Sequence, residues 1–183
     1  LQQLNGASRE EFVSALRPLF NNETWPLELA WESRPFGDVN ELRAAIQVAV
    51  LTADDSRRAA LIHDYPAMDK LLLADADEAA TISADRGSLG LTDLDDVQTE
   101  RITELSAAYR ERFDMPFVAY LDTNDTVDRV IDAGVRRLAN SPEQEYRTAL
   151  GEIVEIANDR FDILLADANP VRSSWDRKFT EVD

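Results

Sequence analysis

Apolar positions recur along this chain every three or four residues, the repeat of one face of an α-helix. Phe12, Val13, Leu16 and Leu19 follow Ser8-Arg9-Glu10-Glu11. That tetrad is a capping box: the Ser8 hydroxyl accepts an N–H of the first turn and Glu11 reaches back. Pro18 implies that this helix is short or kinked. Leu27 to Trp31 predicts a second short helix that ends before Arg34-Pro35-Phe36. Asp38 with Glu41 starts a third, with Leu42, Ala45, Ile46 and Ala49 as its buried stripe. Asp54 or Asp55 opens another through Ala60, Leu61 and Ile62. Tyr65-Pro66 stops it, because a residue before proline is pushed out of the α region.

The pattern then loosens. Residues 67–91 predict some helix around Met68 to Leu73 and then a loop or short helix to Gly90. Thr92 to Asp95 caps a long helix with Val97, Ile102, Leu105, Ala108 and Tyr109 on its face, ending near Phe113. Phe117 to Leu121 reads as a buried extended segment or short strand, and one such segment makes no sheet. A helix from about Thr126 to Ala139 points Val127, Val130, Ile131, Val135 and Leu138 inward. Ser141-Pro142-Glu143-Gln144 combines a cap, a first-turn proline and an N3 glutamine. Its helix is predicted to run to about Leu165 on Tyr146, Leu150, Ile153, Val154, Ala157 and Phe161. The expected fold is therefore all-α: a single-domain bundle of about seven or eight helices over residues 1–167, with an irregular tail over 168–183.

Composition narrows the chemistry. The chain has 183 residues, of which 44% are apolar, so it can bury a sizeable core. No apolar run approaches the roughly 20 residues that cross a bilayer, and the start shows neither a basic n-region nor an apolar h-region. A cytoplasmic location away from membranes is expected. There is no cysteine, which removes disulfides, thiolate nucleophiles and cysteine metal sites. His63 is the single histidine, so no His-pair metal site forms within one chain, and no metal is expected. Acidic residues outnumber basic ones 36 to 19, a net charge of −17 spread along the whole chain. No basic stripe is visible, so nucleic acid is not an expected partner. Nor is there a glycine-rich nucleotide loop.

The order of several short motifs says more. Leu4-Asn5, Phe12 and Leu16 come first, then Ala30 with Arg34-Pro35-Phe36, then Leu61-Ile62. Tyr109-Arg110-Glu111-Arg112-Phe113, Pro116-Phe117-Val118, Arg136-Arg137-Leu138-Ala139-Asn140, Glu145, Ala149-Leu150 and Ile153 follow. Over about residues 4 to 165 the chain resembles the 2-oxo-4-hydroxy-4-carboxy-5-ureidoimidazoline (OHCU) decarboxylases of urate breakdown. The resemblance implies a small all-helical protein, commonly a homodimer, that needs no cofactor. It implies a ureide-type small molecule as substrate, loss of carbon dioxide, and (S)-allantoin as product.

The resemblance also implies a site. The family has a His-Pro dipeptide after a Leu-Ile helix, and that position holds Tyr65-Pro66 here. The family's Ser-x-x-Glu-Gln motif before Gly-Leu falls, counted back from Gly90-Leu91, on Ile82-Ser83-Ala84-Asp85-Arg86. Tyr65 and Asp85 thus occupy the positions of the catalytic pair. Pro66, Ile82 and Arg86 occupy lining positions, and Phe117, Val118, Ala119, Tyr120 and Leu121 match a segment that lines the ligand with backbone groups.

The departures matter physically. Decarboxylation leaves an electron pair on carbon, which needs a proton donor on one face. Tyrosine, with a reference pKa of about 10, is a poorer acid than histidine but still donates a hydrogen bond. Asp85 is one methylene shorter than glutamate, Ile82 removes a donor, and Arg86 adds a charge that can grip a carboxylate with two prongs. His63 lies two residues before Tyr65 and points about 200° away from it on a helix. It enters a pocket only where that helix has unwound. Tyr65 is open to two readings, a pocket residue or an aromatic core residue. The alternative to a divergent or slow decarboxylase is a relative that kept the fold without the chemistry, binding a small anion or ureide or acting as a structural or interaction protein.

Overall fold

The computed structural model describes residues 1–73, 94–121 and 125–167. Its helices are α1 (Gln2–Gly6), α2 (Arg9–Leu16), α3 (Trp25–Glu32), α4 (Val39–Thr52), α5 (Asp55–His63), α6 (Met68–Leu73), α7 (Asp96–Phe113), α8 (Val127–Arg137) and α9 (Pro142–Asp167), with a 3-10 turn at Arg17–Leu19. They take up more than half of the chain, and no strand occurs among the described residues. The expected all-α class holds, and the described residues include eight helices longer than the five-residue α1. The expected tail over 168–183 lies outside the described residues. The described helices cluster into two compact units, one built from residues 1–52 and from 154 onward, the other from 53–153.

In the first unit the capping box forms as expected: Ser8 N–H donates to Glu11 Oε2 at 2.8 Å and Glu11 N–H donates to Ser8 Oγ at 3.3 Å. Pro18 falls in the 3-10 turn, so α2 stops after two turns rather than kinking. α3 starts earlier than Leu27, because Trp25-Pro26 supplies a first-turn proline whose missing N–H is one the helix leaves unbonded anyway. Motif residues tie the start of the chain to the end of α3. Asn5 exchanges two hydrogen bonds with the backbone of Phe36, at 2.8 and 2.9 Å. Arg34 donates to the carbonyls of Asn5, Ala7 and Trp31 and stacks on the Trp31 ring at 4.1 Å. The second half of α9 closes this unit: Arg43 pairs with Asp162 at 2.5 Å, and Arg160 donates to Leu19 O and Asn21 Oδ1. Val154, Ala157 and Phe161 line a small crevice with Leu19, Ile46 and Val50.

In the second unit Asp54 caps α5 through the N–H of Arg57, which holds its carboxyl below the usual range. Asp95 and Gln98 form a capping box on α7, and Asp114 ends that helix in the left-handed conformation. Ile102, Leu105, Ser106 and Tyr109 are buried on α7, and Val127, Val130, Ile131 and Gly134 on α8. α7 packs on α6 and α8, and Arg101 bridges from α7 to Asp128 and Asp132 of α8. Two expected core valines prove exposed. Val97 is five residues before Ile102, about 140° out of phase with the stripe. Val135 sits at the stripe's edge, and Gly134 takes the contact instead. A methyl group at Gly134 would lie 2.5 Å from Leu105 Cδ2 and 2.9 Å from Phe117 Cζ, so only glycine lets the helix come this close. Phe117 to Leu121 is irregular rather than a strand, with Phe117 and Val118 buried and the next three residues half-buried.

Candidate active site

α5 ends where the sequence predicts. Asp64 caps it while still in helical conformation, its N–H donating to Ala60 O at 3.0 Å, and the N–H of Tyr65 donates to Ile62 O at 3.2 Å. Tyr65 is buried at 6% exposure, and Pro66 after it is half-buried. His63, two residues earlier, is exposed, as the helical phase requires. Tyr65 thus sits inside the protein at the helix end while the only histidine faces water. Ile82, Asp85 and Arg86 lie outside the described residues.

Among the described residues the Phe117–Leu121 segment is held by side chains, with no neighbouring strand. Arg137, in the last turn of α8, is its centre. One prong, Nη1, donates to Val118 O at 3.0 Å and approaches Glu152 Oε1 at 3.4 Å. Nη2 and Nε both donate to Glu145 Oε1, at 2.5 and 2.9 Å. Glu152 uses its other oxygen to accept the N–H of Tyr120 at 2.7 Å. Glu145 accepts the Tyr109 hydroxyl at 3.1 Å on Oε1 and the Asn140 amide at 2.7 Å on Oε2. The Arg137 guanidinium also lies over the Phe117 ring, 5.0 Å from its centre, and the Tyr109 ring packs tilted against Phe117 with centroids 4.9 Å apart.

This cluster is a framework device. Glu145 is fully buried and Arg137 nearly so, and such a pair survives burial only when its remaining lone pairs and protons are also bonded. Here they are. Burial holds the Tyr109 phenol far above its usual range; Arg137 opposes this and Glu145 adds to it. Tyr109 therefore stays neutral and donates, and it is no proton source for chemistry. On one side of the segment lies a cleft of about 330 Å³, in the range of small-molecule sites. Ala119, Tyr120, Arg137 and Glu152 line it with Arg129 and Arg136 of α8; Tyr65 and Pro66 do not.

Sequence reading picked out Tyr109, Arg137, Asn140 and Glu145 only as motif letters and passed over Glu152. A signal was present. Glu145 stands one turn before Ala149 on the buried stripe of α9, where an apolar residue belongs. A carboxylate there demands a buried cation, and Arg137 is the cation that follows α8's apolar stripe. Among the described residues no group of three or more acidic or histidine side chains is placed to hold a metal ion, and no helix is long and apolar enough to cross a membrane.

Fold and cluster together define an all-α protein that presents a short irregular segment on a buried ion-pair frame. Comparison with known proteins gives that class its family. The family model for OHCU decarboxylase matches residues 5–162, and the chain belongs to this family. The OHCU decarboxylase of Haloferax volcanii is 37% identical over 162 residues, 87% of this chain and 92% of the relative. That of Mus musculus is 33% identical over 177 residues, 93% and 96% of the two chains. The crystal structure of an (S)-allantoin synthase superposes with a TM-score of 0.65 at 23% identity, over 90% of this chain and 52% of the other, which supports the fold.

Proposed function

We propose that this protein is a carboxy-lyase that takes carbon dioxide from 2-oxo-4-hydroxy-4-carboxy-5-ureidoimidazoline and leaves (S)-allantoin. The observation that carries this reading is the family match from residue 5 to residue 162, unbroken across both helical units. In the reaction the bond from the ring carbon to the carboxylate breaks and carbon dioxide departs. Its electron pair stays on the ring carbon, and a proton is added there from one face. Tyr65 and Asp85 are the residues proposed to hold and deliver that proton, which solvent then replaces. The buried position of Tyr65 beside Pro66 supports its part. Arg86 grips the substrate carboxylate, Pro66 and Ile82 line the pocket, and the backbone of Phe117, Val118, Ala119, Tyr120 and Leu121 lines the ureide.

A phenol gives up its proton less readily than an imidazole near neutral pH, so turnover is slow compared with a histidine-bearing relative. We also place the protein in the cytoplasm as a homodimer, working without a cofactor, as the family resemblance implies; light scattering at micromolar concentration tests the dimer. The test of function is direct. Freshly generated substrate is added, and its loss is followed by absorbance together with the chirality of the allantoin formed. Accelerated loss with an excess of the (S) form is expected. Racemic product formed at the uncatalysed rate would overturn the proposal.

A further inference from the structure

We infer that Glu152 and Arg137 are positioning residues for the reaction, acting as a two-point clamp on the Phe117–Leu121 backbone. The inference rests on the proposed decarboxylase reading, in which that segment lines the substrate. Arg137 Nη1 donates to Val118 O at 3.0 Å, and Glu152 Oε2 accepts Tyr120 N–H at 2.7 Å. The two side chains also meet each other at 3.4 Å. Val118 O and Tyr120 N–H are therefore both tied to this one connected pair of side chains. The residue between them, Ala119, has neither of its backbone groups engaged by the pair and lines the same cleft as both side chains.

The hydrogen bonding agrees. Neither backbone group of Ala119 has a protein partner among the described residues, although Ala119 is half-buried. A donor and an acceptor left open side by side at a half-buried residue that lines a cleft are available to a ligand. An adjacent N–H and C=O match the C=O and N–H of a ureide. The clamp thus does two things with one pair of side chains: it satisfies the groups on the frame side and fixes the angle of those left for the ligand.

Positioning is worth a great deal where reacting groups must align: a shift of about 1 Å costs on the order of 10²-fold in rate. The test uses the full chain with Glu152→Ala and Glu152→Gln, and it reads kcat and KM, thermal stability, and amide exchange at Tyr120. Glu152→Ala is expected to speed Tyr120 exchange and to lower kcat/KM by roughly 10- to 100-fold while the fold persists. Glu152→Gln keeps an oxygen that can accept the Tyr120 N–H, so it is expected to restore slow exchange and most of kcat/KM. Unchanged Tyr120 exchange in Glu152→Ala overturns the clamp whatever the turnover. Faster exchange with unchanged kcat/KM overturns its role in the reaction, as does equal loss in both variants in step with melting temperature. A wild-type protein with no turnover counts instead against the decarboxylase reading, and the exchange arm still judges the clamp.

Discussion

Glu145 holds one oxygen, Oε1, within 2.5 Å of Nη2 and 2.9 Å of Nε of Arg137, and the carboxylate is wholly shut off from water. Its second oxygen goes to Asn140. Removing the acid leaves a nearly buried guanidinium facing an emptied space, with only Glu152 to balance it. Glu145→Ala is expected to cost about 3–5 kcal/mol of unfolding free energy, the usual consequence of stranding a buried charge. Urea melts at fixed salt measure it. A loss under about 1 kcal/mol would mean that water already reaches this pair.

Tyr109→Phe removes one hydrogen bond to that carboxylate and is expected to cost about 1.5–3 kcal/mol, the range for bonds to a charged group. It also changes the alkaline limb of stability. The folded phenol is held above its unfolded value, so its contribution is fully present below about pH 10, where the unfolded chain still keeps its own proton. Above that pH the unfolded form releases a proton that the folded form retains, and stability falls. Wild-type protein should lose stability faster than Tyr109→Phe as the pH rises past 10. Parallel curves would show that the phenol is not the group responsible.

Gly134→Ala sets two effects against each other. Alanine favours helix by about 0.5–1 kcal/mol. Its methyl, however, would press on Leu105 at 2.5 Å and on Phe117 at 2.9 Å, and overpacking typically costs about 1–3 kcal/mol. Leu105 can swing its terminal methyl aside; the Phe117 ring, held by Tyr109 and Arg137, has less room. The net expectation is a modest loss of stability with a larger fall in turnover, since Phe117 opens the lining segment. A variant as active and as stable as the parent would show that α7 and α8 part at little cost.

The histidine question has a clean answer in kinetics. His63→Ala should change the decarboxylation rate by less than about twofold, because the side chain is solvent-exposed whereas Tyr65 is buried. Tyr65→His combined with Asp85→Glu should raise the rate by restoring the family's pair. Complete loss of activity in His63→Ala, with the helical spectrum intact, would show that the catalytic histidine has moved rather than vanished.

Net charge gives the last test. A chain with 36 acidic and 19 basic side chains repels itself when folded. Sodium chloride raised from about 0.01 to 0.5 M shortens the screening length from roughly 30 Å to a few ångströms and should raise the melting temperature. A flat or falling curve would mean that the surface ion pairs, such as Arg101 with Asp128 and Asp132, outweigh the repulsion.

Helix existence was legible because caps and stripes are local. Ser8 with Glu11, and Ser141 with Gln144, announce their helices within four residues, and both form in the structure. Placement on a face was less so. Val97 and Val135 look like core to a reader who counts apolar letters, but one is out of phase and the other yields its place to a glycine whose value lies in Leu105 and Phe117. The frame of the candidate site was the least legible part. Arg137, Glu145 and Glu152 are ordinary helix residues until tertiary structure brings two helices and a loop together, and no local pattern names a charge pair that spans them. The resemblance supplied positions such as Tyr65, which the structure then finds buried at its helix end.

The division of the first helical unit between the two ends of the chain bears on how the protein is made. Arg43 and its partner Asp162 are 119 residues apart, and Arg160 reaches back still farther, to Leu19. A ribosome adding about 5–20 residues per second needs on the order of ten seconds to cross that interval. For most of it, the helices of residues 1–52 lack the residues that complete them, whereas the segment from 53 to 153 has all of its own. Residues 1–52 thus wait longest for their packing partners, and α2 to α4 are where a chaperone has the longest time to bind.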